Sequence, residues 1–282
     1  MSCICEGMMK KHMKAIIYNI TVSEMKNFQE ENLIVRFHHL SDISDMIGKE
    51  SPQNILYIQL PVRDADITPL MRLQFPVPLD LRIHDPVKDL PLLYNYAPLS
   101  AKCPVRVSLP VAAGFSKAAK LAVSLHFAVK LEVLQPEQNL IAEMAQVLHD
   151  YLHLSTVSQP IEFFHSLFLA FYHGNSATLW DIQEENPDHF RFVTDEGKET
   201  LSPRLSGQYG NFSSVTDLKK EFVTGKTECS GCEFIETCCA YFKFPCKEYS
   251  CRGIKEIFHM LKQAAEELKK DMELSAAKEK SL

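Results

Sequence analysis

Six of the nine cysteines in this chain, Cys229, Cys232, Cys238, Cys239, Cys246 and Cys251, fall within one 23-residue window, while Cys3, Cys5 and Cys103 are scattered elsewhere. Thiols at this density read as metal ligands or reactive groups before disulfides when a chain is not exported, because the cytosol keeps thiols reduced. The N-terminus carries Lys10, Lys11 and Lys14 but no apolar block long enough for a signal peptide. The longest apolar stretches, Phe163 to Tyr172 and Lys120 to Leu134, fall short of the roughly 20 residues that span a bilayer. A cytoplasmic protein without a membrane segment is therefore expected. The net charge of −6 argues against nucleic acid, whose phosphates need a dense set of Lys and Arg.

Within the window, Cys229 and Cys232 have C-x2-C spacing, which lets two thiolates converge while backbone amides of the turn donate to the sulfurs. Redox use of a thioredoxin kind needs such a pair to open a helix after a strand. Here more cysteines follow almost at once. A structural zinc site draws on two such knuckles and the window supplies one. An iron–sulfur cluster accepts an asymmetric set: the C-x2-C-x5-C run of Cys229, Cys232 and Cys238, plus a more distant fourth thiolate. Cys251 opens a helical pattern, where packing fixes the ligand and the helix dipole favours the cluster's negative charge, so it is preferred to Cys246. The expectation is one [4Fe–4S] cluster on Cys229, Cys232, Cys238 and Cys251. Cys239 and Cys246 read as small buried residues, with ligand or redox roles as the alternatives.

Upstream, extended segments at Ala15 to Thr21, Asn54 to Val62, Leu79 to Asp85, Pro104 to Val111 and Val129 to Gln135 look buried on both faces for the most part. Helical patterns at Ser116 to Phe127, Pro136 to Leu152 and Pro160 to Tyr172 alternate with them. This order predicts an α/β domain over residues 1–175, either an open parallel sheet or a partial (β/α) barrel. From Gly174 the composition turns polar. Residues 176–282 are expected to hold a β-hairpin around Gly197, a loop with Gly207 and Gly210, a short helix near Val215 to Thr224 and the cysteine window. An amphipathic helix follows, with Ile254, Ile257, Phe258, Leu261, Ala265, Leu268 and Met272 on the packed face. Residues 276–282 are expected to fray.

The window and its flanks resemble the SPASM domains attached to radical SAM enzymes that mature ribosomally made peptides. The likeness rests on the C-x2-C-x5-C run, on Ala-Tyr-Phe-Lys-Phe-Pro from Ala240 to Pro245, and on Tyr249-Ser250-Cys251-Arg252-Gly253-Ile254-Lys255 leading into a helix. It covers roughly residues 190 to 272. A full domain of that kind holds two [4Fe–4S] clusters on seven cysteines. The four that serve one cluster have counterparts here, but no cysteine lies between Cys103 and Cys229, and Phe242 stands where another would be. The resemblance therefore implies one remaining cluster. The C-x3-C-x2-C triplet that binds the S-adenosylmethionine-cleaving cluster is absent, and Cys3 with Cys5 does not replace it. In this the chain is similar to the stand-alone SPASM proteins of the GeoRSP peptide-maturation system, which accompany a radical SAM/SPASM enzyme. The resemblance implies an accessory protein without S-adenosylmethionine or independent catalysis, partnered by such an enzyme or the precursor peptide, with an α/β half derived from a radical-SAM-like partial barrel. Two other readings stay open: an enzyme with its site in the α/β domain and a structural cluster, and a zinc-stabilised interaction module.

Other candidates are weaker. His149 and His153 stand four apart on a helix but lack the Glu of H-E-x-x-H, and His38 with His39 follows a strand-like run. Asp64, Asp66, Asp80, His84 and Asp85 fall near strand ends, where α/β proteins gather ligand groups; solvated loop acids are the default reading. Nucleotide-loop and hydrolase-elbow motifs are absent.

Overall fold

Runs such as Leu79-Asp80-Leu81-Arg82 and Val105-Arg106-Val107-Ser108-Leu109 alternate apolar and polar residues with the period of a strand, so each strand presents one apolar and one polar face. The computed structural model describes residues 16–46, 54–64, 66–73, 77–175, 177–206, 212, 214–225 and 227–279. Cys3, Cys5, Gly207 and Gly210 lie outside these residues. The strands are β1 (Ile17–Thr21), β2 (Asn32–Arg36), β3 (Ile55–Pro61), β4 (Leu79–Arg82), β5 (Val105–Pro110), β6 (Ala128–Glu132), β7 (Ile161–Glu162), β8 (Phe190–Val193) and β9 (Glu199–Thr200). They form one sheet in the order β7-β6-β5-β4-β3-β2-β1-β8-β9, parallel except for the β8–β9 hairpin.

The α-helices are α1 (Thr68–Met71), α2 (Phe115–Ser124), α3 (Gln138–His153), α4 (Phe164–His173), α5 (Leu179–Ile182), α6 (Val215–Thr224), α7 (Ile235–Cys238) and α8 (Arg252–Glu279). From β1 to β7 every crossover steps to the next strand in the same direction. Right-handed crossovers then fall on a single face. That face is the apolar one, where the rows Ile20, Val35, Ile58, Leu79, Val105 and Leu60, Leu81, Val107, Val129, Ile161 are buried. Each such aliphatic side chain contributes about 1.5–3 kcal/mol by leaving water.

The opposite face is buried as well at Thr21, Gln59, Asp80, Ser108 and Lys130, as expected for strands covered on both sides, but it is polar. Its rows read Thr21, Arg36, Gln59, Asp80, Arg106, Ala128 and Pro61, Arg82, Ser108, Lys130, Glu162. Asp80 is fully buried and accepts from Gln59 Nε2 at 2.8 Å, Arg106 Nη2 at 2.8 Å and Ser108 Oγ at 2.6 Å. Arg106 and Lys130 both reach Glu184, at 2.6 Å each, from the turn after α5, where Glu184 adopts a positive φ of 61°. Burial tends to raise the Glu184 pKa, but Arg106 and Lys130 outweigh it and hold the carboxyl at about 2.

Three further differences concern boundaries. The pattern from Pro160 begins with β7 and becomes helical only at Phe164. The hairpin around Gly197, at φ +77°, extends the main sheet, because β8 pairs with β1. Helix α8 runs regularly to Glu279, and its outer half outruns the body: Ala265 is buried, whereas Leu268 and Met272 are 42% and 56% exposed.

Asp80→Asn leaves Arg106 without half of its buried counter-charge and should cost about 3–5 kcal/mol in chemical denaturation. Glu184 titrates lower in the folded chain than its ordinary 4.5. Its contribution is thus complete above that value and drains away as pH falls toward about 2. The Glu184→Gln variant should lose that part of the acid sensitivity in the same denaturation measurement.

Candidate metal centre

Every turn of the cysteine window is set by a local device. Thr227 accepts the backbone N–H of Cys229 on its hydroxyl at 3.2 Å, and the Cys232 N–H returns to Cys229 O at 3.2 Å, closing the first knuckle. The single turn of α7 carries Cys238 and ends on two successive left-handed residues, Cys239 at φ 46° and Ala240 at φ 60°. Neither is glycine, so this reversal is conformationally costly. It aims the N–H groups of Tyr241 and Phe242 at the Cys238 sulfur.

Cys251 stands immediately before α8. That helix is locked to the α/β half by its packing on α3 and α4, with Ile254, Ile257, Phe258 and Leu261 buried. Gly253 permits the approach to α3, since a Cβ there would lie 2.8 Å from Ile141 Cγ2.

These devices bring Cys229, Cys232, Cys238 and Cys251 to the wall of one small hollow of about 20 Å3. Phe234, Ile235, Phe242, Ile254 and Phe258 complete the apolar lining, and Glu228, Lys243 and Lys255 supply the charge. Cys239 and Cys246 are not part of the lining. Cys239 is buried, and its thiol donates to Glu236 O at 3.2 Å; Cys246 is exposed, 3.6 Å from Glu248 Oε2. Among the described residues no group of three or more His, Cys, Asp or Glu side chains is placed to hold a metal ion.

Burial pushes the Cys238 thiol up to about 12 against the two amides that favour its thiolate, and burial also raises Cys229 and Cys251. Metal binding must expel those protons, which couples loading to pH. Glu228 organises the cationic side of the hollow. It takes Lys243 Nζ at 2.6 Å, Lys255 Nζ at 3.2 Å and the Cys251 N–H at 2.9 Å. Burial alone would raise its pKa, yet these donors hold it at about 2. The two ammonium groups and the start of α8 favour a negatively charged group in the hollow.

The other sequence candidates do not converge. The His149 and His153 rings lie 4.7 Å apart, tilted at 54° to each other, on an exposed face of α3. His38 pairs with Asp195 at 3.5 Å, and the His39 N–H meets Asp42. Asp66 caps Thr68, Asp85 caps Val87 and Lys88, and the His84 N–H goes to Asp89, all as turn geometry. Asp64 is not drawn into any of these groupings. Asp80 belongs to the buried network of the sheet. Glu228, Lys243 and Lys255 escaped the sequence reading; the one signal available was their closeness to Cys229 and Cys251 in the chain.

Glu228→Gln removes both ion pairs while keeping an acceptor for the Cys251 N–H. The Lys243 side chain is 6% exposed and that of Glu228 is 33% exposed, so the loss is smaller than for a fully buried pair. A fall of about 1–3 kcal/mol in unfolding free energy is expected by urea titration.

Compared with known proteins, the chain matches no family model, no curated protein and no solved structure.

Proposed function

We propose that this chain is an iron–sulfur accessory protein that holds one [4Fe–4S] cluster on Cys229, Cys232, Cys238 and Cys251 and works beside a radical SAM enzyme in the maturation of a ribosomally made peptide. The observation that carries the first half is the hollow itself: four thiols from three separate turns line it, and the two remaining cysteines of the window stay outside. A cubane takes one thiolate per iron at separate corners, and four thiols around one hollow are the number it needs. The apolar lining limits water, the Tyr241 and Phe242 amides serve the Cys238 sulfur, and Lys243 with Lys255 offsets negative charge.

Bound there, a cluster supplies one-electron transfer or staples the cysteine loop to α8. Four protein thiolates leave it no open position for a substrate, which favours relay or support over chemistry at the metal. The pathway assignment draws on the SPASM resemblance, as does a cytoplasmic, reducing setting; no helix among the described residues is long and apolar enough to cross a membrane. An enzyme with its site in the α/β half is the second reading, and it draws on the polar face of the sheet.

Anaerobic purification followed by iron and sulfide determination should give about four of each per chain. Substitution by Ala at Cys229, Cys232, Cys238 or Cys251 should abolish the visible absorption, and Cys239→Ala and Cys246→Ala should retain it. One zinc and no sulfide would establish the interaction-module reading instead. Failure to bind or stimulate a radical SAM enzyme encoded beside it would remove the pathway assignment and leave the cluster untouched.

A further inference from the structure

The helical layer over the apolar face of the sheet is not filled everywhere. Where α2 and α3 end and the chain turns from α3 into β7, side chains surround a second hollow, of about 230 Å3. Ala119 and Val123 of α2, Val147 of α3 and Ile161 of β7 line it and are buried, and Val157 of the connecting turn joins them. The exposed lining residues Lys120, Ser124, Leu154 and Thr156 stand at its mouth. Protein interiors are close-packed and keep few voids larger than a water molecule, and an apolar cavity of about 150 Å3 is already enough to admit benzene. The foot of α8 meets α3 at Ile141, near its start, whereas Val147 and Asp150 lie in its second half, so this hollow is separate from the cysteine site.

The charges around it are already matched. Lys120 and Asp150 are the charged residues of the lining, and Lys120 Nζ meets Asp150 Oδ2 at 2.9 Å. The other oxygen of Asp150 accepts Gln146 Nε2 at 2.9 Å, with His149 Nδ1 3.8 Å away. Both helices finish beside the hollow, α2 at Ser124 and α3 at His153, and helix C-termini carry partial negative charge. An anion there meets those carbonyl ends and Asp150, and a cation meets Lys120.

We propose that this hollow binds a small uncharged ring compound, of the size of benzene or somewhat larger, as a free molecule. A rigid ring fills the space without the ordering cost that a flexible chain of the same volume incurs. A ring carried on a peptide would bring its backbone against a rim whose ion pair is already closed. The site lies in the α/β half and stands or falls independently of the cluster.

Benzyl alcohol, with its near-isosteric charged analogues benzoate and benzylammonium, and N-acetylphenylalaninamide are titrated onto the full chain and followed by nuclear magnetic resonance. Benzyl alcohol should bind saturably, and each charged analogue should bind at least tenfold more weakly. Ala119→Leu, which adds three carbons at the buried wall, should weaken benzyl alcohol at least tenfold. Val147→Ile, a smaller burden on folding, should weaken it several-fold, and the exposed control Lys117→Gln should leave it unchanged. The proposal is overturned by no saturable binding of benzyl alcohol, by equal or tighter binding of either charged analogue, or by unaltered binding in Val147→Ile together with a folded Ala119→Leu. Tighter binding of N-acetylphenylalaninamide overturns it too, since a peptide side chain would then be the occupant.

Discussion

Burying a carboxylate against a sheet is tolerable only when donors meet its oxygens, and β3 and β5 together give Asp80 two donors on one oxygen and one on the other. From it the pairing runs outward through Arg106 and Lys130 to Glu184, and so out of the sheet into the turn after α5. The next residue, Glu185, meets Arg204 at 3.4 Å and accepts the Tyr241 hydroxyl at 3.1 Å. Trp180 packs at 4.8 Å on Tyr241 and donates to Cys239 O. One short turn is thus clamped by the sheet on one side and by the cysteine loop on the other. The position of that loop follows from how the charged face is neutralised.

Much of this was legible in the chain and some was not. The cysteine spacing alone singled out the four thiols that share the hollow, because C-x2-C and a cysteine opening a helix are local patterns. The strand–helix order predicted the α/β class for the same reason. The alternation in Leu79-Asp80-Leu81-Arg82 and Ala128-Val129-Lys130-Leu131-Glu132 marks two unlike faces, and both are buried, but which polar groups pair across neighbouring strands is not visible in it. Glu184 and Arg204 were out of reach. Their partners lie 78 and 37 positions away, and only tertiary packing unites them. Helix α8 misled in the other direction, since periodicity shows which face is apolar but not where the body beneath it ends.

Strain and neutralisation are concentrated in the loop that carries Cys238. Two non-glycine residues in the left-handed region are held there by neighbours on every side: Trp180 on Cys239 O, and Arg204 on the carbonyls of Tyr241 and Phe244. Gln135, just beyond β6, bridges Phe242 O at 2.8 Å and Cys246 O at 2.9 Å. A loop so fastened presents the Cys238 sulfur in one orientation.

The location of Cys251 at the foot of α8 ties the hollow to the rest of the molecule. Its helix seats on α3 and α4, so the fourth wall of the hollow depends on the helices that cover the sheet. The first three cysteines sit on a segment that leans on the same helix, through Phe234 and Phe242 on Phe258 and through Glu228 and Glu233 on Lys255, His259 and Lys262. A displacement of the foot of α8 is therefore felt on every wall of the hollow at once, and no cysteine of the four can shift alone.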